Sequence, residues 1–163
     1  MPRSYARIIL HTVFCTKYRK PFIHPDIEDD LYGVIGNEFK KKNCTIIRIN
    51  GVFDHVHILH TLSRSYALAD IVQEAKARSS RWAKKQGMRY QYFQWQNGYS
   101  THSADYRNLD NLVRYIDNQK QHHYGNSDGT LIRETFAQEY EKLLTAFGFP
   151  FDPELELPIE PQK

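Results

Sequence analysis

Two histidines separated by one residue are the first chemistry this chain offers. Asp54-His55-Val56-His57-Ile58-Leu59 reads as a strand, and on a strand residues i and i+2 share a face, roughly 6–7 Å apart along the backbone. His55 and His57 therefore project together, while Val56 and Ile58 point into the other layer. Two imidazoles side by side are half of a metal site, although an H-x-H on a strand also arises by coincidence. His60 falls on the opposite face by parity and is not a third ligand. Tyr115 and Gln119 are four residues apart, a spacing that stacks side chains on one helix face with Cβ atoms about 5–6 Å apart. Both flank the apolar stripe of their helix, with Asn111, Asn118 and His122 nearby, and a flanking tyrosine taken by itself is usually a rim residue.

A third signal lies between these sites. Residues 75–104 hold Lys76, Arg78, Arg81, Lys84, Lys85 and Arg89 and no acidic residue, interleaved with Trp82, Tyr90, Tyr92, Phe93, Trp95 and Tyr99. Cations that neutralise phosphates beside rings that stack on unpaired bases suit single-stranded nucleic acid. The plainer reading is a solvated helix face over core aromatics, and for Trp82 it is the better one. The charge of the whole chain, +3, conceals a division: residues 1–123 carry 19 basic and 11 acidic side chains, net +8, and residues 124–163 carry 3 and 8, net −5. A basic body with an acidic end suggests a polyanionic partner.

The elements that must position these residues follow from pattern and punctuation. Residues 5–16 read as a strand, ended by the basic turn Lys17-Tyr18-Arg19-Lys20-Pro21. A helix is expected from Pro25 to Lys42, strands over Thr45–Asn50 and Val56–Leu62, and a second helix over Ala67–Lys85. A short fourth strand at Gly98–Ser103 precedes a helix from Tyr106 to His123 and a last amphipathic helix from Leu131 to Phe147. The order β-α-β-β-α-β is the ferredoxin-like α+β plan, a four-stranded antiparallel sheet, here followed by a tyrosine-bearing helix and a C-terminal helix. At 163 residues the chain suits one compact domain, divided here into a body over 1–123 and an acidic helical extension over 124–163 packed on it. Acidic surface in that extension is expected away from the nucleic-acid path. Cys15 and Cys44 read as reduced thiols. The absence of a membrane-length apolar run, a signal peptide pattern or a phosphate-binding glycine loop leads to the expectation of a cytoplasmic protein that uses neither a membrane nor a nucleotide.

TKYRKPF (16–22), DHVHIL (54–59), SSRW (79–82), WQNGY (95–99) and YIDNQ (115–119) occur in this order, and the chain thereby resembles the single-tyrosine HUH transposases of single-strand insertion sequences, including the REP-associated tyrosine transposases of bacteria. The resemblance covers about residues 5–123. It implies a DNA transposase that cleaves and rejoins single-stranded DNA at hairpin-marked ends. His55 and His57, with Gln119 as third ligand, would hold a divalent metal, Mg²⁺ or Mn²⁺. Tyr115 would be the catalytic nucleophile, forming a covalent 5′-phosphotyrosine, and a phenol with a pKa near 10 needs local help for that. Lys17, Arg19, Lys76, Arg78, Arg81, Lys84, Lys85 and Arg89 would contact DNA. It further implies a homodimer in which the tyrosine helix can complete the partner subunit's site. Two imidazoles by themselves suit Mn²⁺ or Zn²⁺ better than hard Mg²⁺. Two features depart from the family pattern: His102 stands in the fourth strand, as a surface residue or DNA contact, and the segment after His123 exceeds a minimal enzyme. The competing readings are a catalytically silent or domesticated hairpin-binding DNA protein, and a zinc hydrolase recruiting His122 or His123 beside the His55/His57 pair.

Overall fold

The computed structural model describes residues 2–125 and 130–162. A four-stranded antiparallel sheet forms its centre, built from β1 (Ile9–Cys15), β2 (Ile46–Val52), β3 (His55–Thr61) and β4 (Ser100–Ser103) in the spatial order β2-β3-β1-β4. Helices α1 (Pro25–Lys41) and α2 (Leu68–Ala83) complete the β-α-β-β-α-β order. The fold is the α+β ferredoxin-like arrangement. Residues 5–8 lie outside β1 and are exposed, so the first strand is shorter than the apolar run that announces it.

The two faces of the sheet do different work. Phe14, Val56 and Ile58 face α1 and α2 and join Leu31, Ile35, Phe39, Ile71, Val72 and Ala75 in the larger core. His60 points the same way, its ring 4.7 Å from that of Phe39, which places it across the sheet from His55 and His57. The opposite face carries His11, Val13 and Cys15 of β1 with His55, His57 and Leu59 of β3. It is covered by α3 (Leu109–Asp117), α4 (Gln119–His123) and α5 (Phe136–Ala146), with a final turn α6 (Pro153–Glu156). Cys15 and Cys44 are buried free thiols. No helix is long and apolar enough to cross a membrane among the described residues.

Two helices differ from the sequence expectation, for local reasons. The stretch 106–123 is not one helix: it opens with a tight turn at Tyr106–Asn108, runs as α3 to Asp117, breaks at Asn118 (φ −94°, ψ 16°) and resumes as α4. Asn50 of β2 donates its side-chain amide to the carbonyls of Ile116 and Asp117, taking acceptors that a continuing helix would have used. The last long helix starts at Phe136, leaving Leu131 and Ile132 exposed outside it. Its start is fixed by a capping box between Thr135 and Gln138, a T-x-x-Q signature that outranks apolar spacing as a marker of a helix start.

Gly51 couples the sheet to the histidine pair. In the β2–β3 hairpin it lies opposite Val56, and a Cβ built on it would stand 2.1 Å from the His55 carbonyl oxygen. Only a hydrogen fits, so Gly51→Ala must push His55 out of register. We expect that variant to lose about 1–3 kcal/mol of stability, measured by urea unfolding; a variant as stable as the parent would show that the hairpin accommodates a methyl group.

Candidate metal and tyrosine site

The buried face of β3 gathers more polar groups than the sequence pattern suggests. His55 and His57 are fully buried with their rings 5.1 Å apart. Each has one nitrogen committed to a partner on the far side of the ring. His55 Nδ1 donates to Asp54 Oδ1 at 2.7 Å, and His57 Nδ1 shares a 2.8 Å hydrogen bond with His11 Nε2. Both Nε2 atoms are thereby turned toward α4 and α5. This arrangement, with the outer nitrogen held and the inner one presented, is how proteins fix histidines for a metal.

Gln119 and Tyr115 arrive from α4 and α3 of the same chain. Gln119 is buried, with Oε1 3.2 Å from His55 Nε2. The Tyr115 ring stands edge-on to His57 with centroids 5.7 Å apart. One chain therefore brings all four residues together. Lys120 anchors α4 by donating to Glu28, to Asn50 Oδ1 at 3.1 Å and to the Gly51 carbonyl at 3.3 Å.

The residue that sequence reasoning missed is Glu139. It comes from α5, inside the acidic extension, and is 2% exposed. Its Oε1 accepts hydrogen bonds from the Tyr115 hydroxyl and from Gln119 Nε2 at 3.1 Å, and lies 3.2 Å from His57 Nε2. Its Oε2 lies 3.2 Å from His55 Nε2 and 2.6 Å from His123 Nε2. One acid of the extension is thus not surface at all but part of the histidine cluster. A signal was present: Glu139 follows Phe136 by three and precedes Tyr140, so it falls within the apolar stripe of α5, where a charge is out of place unless it is used.

The electrostatics follow from this crowding. Burial works against ionising Glu139, but the neighbouring His57 and the close nitrogens of His123 and His55 hold its carboxyl far below the usual carboxylate range. Burial likewise opposes charging His55, yet its bonds to Asp54 and Glu139 prevail and raise it to about 9. His11 is pushed well down by burial and by His57, so its ring is neutral. Burial and the Glu139 carboxylate push the Tyr115 phenol well up, so in this arrangement the tyrosine is a protonated donor.

Other residues find less expected places. His102 is neither a surface residue nor an exposed contact: it is 3% exposed, and the ring of Phe147 stacks on it at 4.1 Å. Phe136 stacks on His55 at 4.2 Å, so α5 and the turn after it roof both ends of the histidine row. His123, weighed above as a zinc ligand, joins the cluster, with its ring 4.7 Å from that of His55. His122 pairs with Glu134 and also stands at the cluster's edge, where its ligand atom and those of His123 and Glu139 lie within 4.8 Å of one another.

The basic residues divide into engaged and free. Lys76 donates to the carbonyls of Gln96 and Gly98 at 2.6 Å each, and burial lowers it to about 8. It therefore fastens the 96–98 loop to α2. Arg19 donates to the Leu157 carbonyl at 2.8 Å, and Arg89 faces Asp26 at 3.8 Å. Arg78, Arg81, Lys84 and Lys85 are exposed and form no ion pair among the described residues. A groove of about 590 Å³ between α2 and the 94–99 loop is lined by Lys17, Lys76, Lys84, Asn97 and Tyr99, and it shares no residue with the histidine cluster. A smaller cavity of about 180 Å³ opens beside that cluster, with Asp54, His123 and Phe136 in its wall and Arg19 among its lining.

Residues 4–119 match the model of the IS200-like transposases. The chain belongs to that family. ISDra2 transposase TnpA of Deinococcus radiodurans is 27% identical over 80 residues, covering 48% of this chain and 57% of that protein, so the chain matches just over half of that curated relative's length. Two solved structures share the fold of this IS200-like transposase, each with a TM-score of 0.56. One is a Deinococcus radiodurans R1 protein provisionally assigned as a transposase, 19% identical over 73% of this chain and 96% of its own. The other is a REP-associated tyrosine transposase bound to a REP hairpin, 17% identical over 93% of this chain and 91% of its own.

The donor set fits a divalent cation. His57 Nε2 is buried and has no hydrogen-bond partner among the described residues, because its 3.2 Å approach to Glu139 lacks hydrogen-bonding geometry. A buried ring nitrogen left open in this way, beside a second histidine nitrogen, an amide oxygen and a carboxylate, is what a metal would complete. Asp54 then acts through His55. Asp54→Asn is expected to weaken Mn²⁺ binding by about 10–100-fold in a calorimetric titration, and unchanged affinity would show that Asp54 does not orient the ring.

Proposed function

We propose that this IS200-like transposase cleaves and rejoins single-stranded DNA at hairpin-marked ends, with Tyr115 as the nucleophile. Residues 1–123 are read as the catalytic body and residues 124–163 as an extension of the same domain. The convergence of Tyr115, Gln119, His55 and His57 in one chain supports this reading above all else. His55, His57 and Gln119 are the residues that would hold Mg²⁺ or Mn²⁺. When bound, such a cation supplies Lewis-acid polarisation of the scissile phosphate.

The tyrosine chemistry balances without a nucleotide. The Tyr115 oxygen forms a bond to phosphorus, the bond to the 3′ oxygen breaks, and the phenolic proton is matched by the proton gained on the released 3′-hydroxyl. The product is a 5′-phosphotyrosine, and attack on it by a 3′-hydroxyl restores the phosphodiester and the phenol. His57 and His11 flank the Tyr115 ring edge-on, at 5.7 and 6.4 Å between centroids, and hold it beside the histidine pair. In this conformation each chain's tyrosine serves its own histidines. A homodimer would then act by holding two DNA ends rather than by supplying a missing residue.

DNA would run along the exposed α2 face, where Arg78, Arg81, Lys84 and Lys85 form no ion pair among the described residues, and along the Lys17-lined groove with Tyr99 as a stacking ring. Because Glu139 holds Tyr115 as a protonated donor, a silent hairpin-binding protein is the second reading, and the same assay separates the two. Wild-type protein with Mn²⁺ and a hairpin oligonucleotide should give a covalent adduct on a denaturing gel. Tyr115→Phe should bind the hairpin and give none, and His55→Ala/His57→Ala should do the same. Tight hairpin binding without an adduct in the wild type would establish the silent reading.

Replacing Arg78, Arg81, Lys84 and Lys85 by alanine should weaken binding of all hairpin sequences alike. The dependence of log K on log salt should shallow by about 0.7 for each phosphate that the variant no longer neutralises. An unchanged salt slope in a fluorescence-anisotropy titration would move the DNA path off α2.

A further inference from the structure

We infer that Glu139, carried by the C-terminal extension, is a direct ligand of the divalent cation, completing a two-histidine, one-carboxylate set with His55 and His57. The inference rests on the metal-dependent reading above and deepens it.

The case rests on which donor atoms the cluster brings face to face. His55 Nδ1 donates to Asp54 Oδ1, so Nε2 is the nitrogen that His55 presents to the cluster. That nitrogen faces Gln119 Oε1 at 3.2 Å and Glu139 Oε2 at 3.2 Å, both acceptors. His123 Nδ1 is 2.7 Å from the Glu134 carbonyl, to which it must donate. Its Nε2 lies 2.6 Å from Glu139 Oε2, a hydrogen bond that holds that oxygen in the cluster. His57 Nε2 stands 3.2 Å from Glu139 Oε1 in a geometry that admits no N–H···O bond. A buried ring nitrogen with no partner, facing a carboxylate, is costly to leave unmatched. One cation ligated by His55 Nε2, His57 Nε2 and Glu139 resolves these contacts together. The ligand atoms of these three residues lie within 4.8 Å of one another.

The surroundings position the carboxylate for that task. Gln119 Nε2 and the Tyr115 hydroxyl donate to its Oε1, while His123 grips its Oε2. Phe136, one turn earlier on α5, stacks on His55 and fixes the helix against the ligand ring. Gln119 then both faces His55 and orients Glu139, and Tyr115 is tied by one hydrogen bond to a ligand of the ion. Two nitrogen donors with one carboxylate leave positions open for a phosphate oxygen and favour a first-row transition ion such as Mn²⁺ over Mg²⁺.

The test uses the full chain, stripped with a chelator and free of DNA. Mn²⁺ is titrated by calorimetry, and the rise in melting temperature that it causes is recorded. Glu139→Gln, nearly isosteric but uncharged, should weaken Mn²⁺ binding by at least about tenfold and lose most of the melting-temperature rise. Gln119→Ala should lose less of both. Glu139→Gln binding Mn²⁺ within about twofold of the parent, while His55→Ala/His57→Ala abolishes binding, would overturn the assignment of Glu139 and leave the histidine site standing. Mn²⁺ binding that survives His55→Ala/His57→Ala would instead sink the metal reading of the whole site. Should Glu139→Gln fail to give the circular dichroism of the parent, Glu139→Asp is read with Co²⁺. A changed visible spectrum of the bound ion supports coordination by Glu139, and a spectrum identical to that of the parent overturns it.

Discussion

The buried carboxylate of Glu139 is the constraint on which the rest of this structure depends. Taking a charge out of water costs several kcal/mol unless other groups compensate it. Here the compensation comes from Tyr115, Gln119 and His123, with His55 and His57 at 3.2 Å. These partners belong to the sheet, α3 and α4, and the carboxylate belongs to α5. The extension is therefore docked by polar chemistry at its centre as much as by apolar packing at its edges, where Phe136, Tyr140 and Leu144 meet Val13 and Cys15. Losing the partners would leave the charge buried and unmatched. Losing the charge would leave several donors and a histidine pair without a common focus.

The sheet makes this possible because its two faces are specialised. One face is apolar and is covered by α1 and α2, which supplies the packing that holds the strands in register. The other can then carry a row of polar rings. His11 pairs directly with His102 across β1 and β4, His57 bonds to His11, and His55 continues the row toward α5. Such a row is tolerable only under a roof, and Phe136 and Phe147 stack on its two ends. Rigid strands fix where the nitrogens point, and the break at Asn118 lets Gln119 turn inward while Tyr115 stays on the preceding helix.

Much of this was legible because it depends on short-range periodicity. The alternation in Asp54-His55-Val56-His57 sets which rings share a face, and the β-α-β-β-α-β order follows from apolar runs and turn residues. What stayed hidden depends on residues distant in sequence. Asn50 ends α3 from a strand 66 residues before Ile116, which no reading of residues 106–123 alone can foresee. Glu139 is far along the chain from His57, and its place in the apolar stripe of α5 shows that it is buried but not what it meets. The start of α5 was legible in Thr135-x-x-Gln138, and apolar spacing from Ile132 masked it. His102 looked like a surface residue because its covering ring, Phe147, comes from the far end of the chain.

The division of charge along the chain takes on a structural meaning from this docking. The acidic extension does not trail away from the basic body. It returns to it at several points: Glu139 enters the histidine cluster, Glu160 pairs with Lys20 at 2.9 Å, and the Leu157 carbonyl accepts from Arg19. Lys20 and Arg19 belong to the basic turn TKYRKPF, so part of the positive charge that marked that turn for DNA is engaged within the protein. The pair at Lys20 is exposed and weak, because solvent screens it. The interaction at Glu139 is buried and strong. Attraction between the two parts of the chain is thus concentrated in the site itself, while the exposed α2 cations Arg78, Arg81, Lys84 and Lys85 have no acidic partner among the described residues, which leaves their charge available to the polyanion that the proposed function requires.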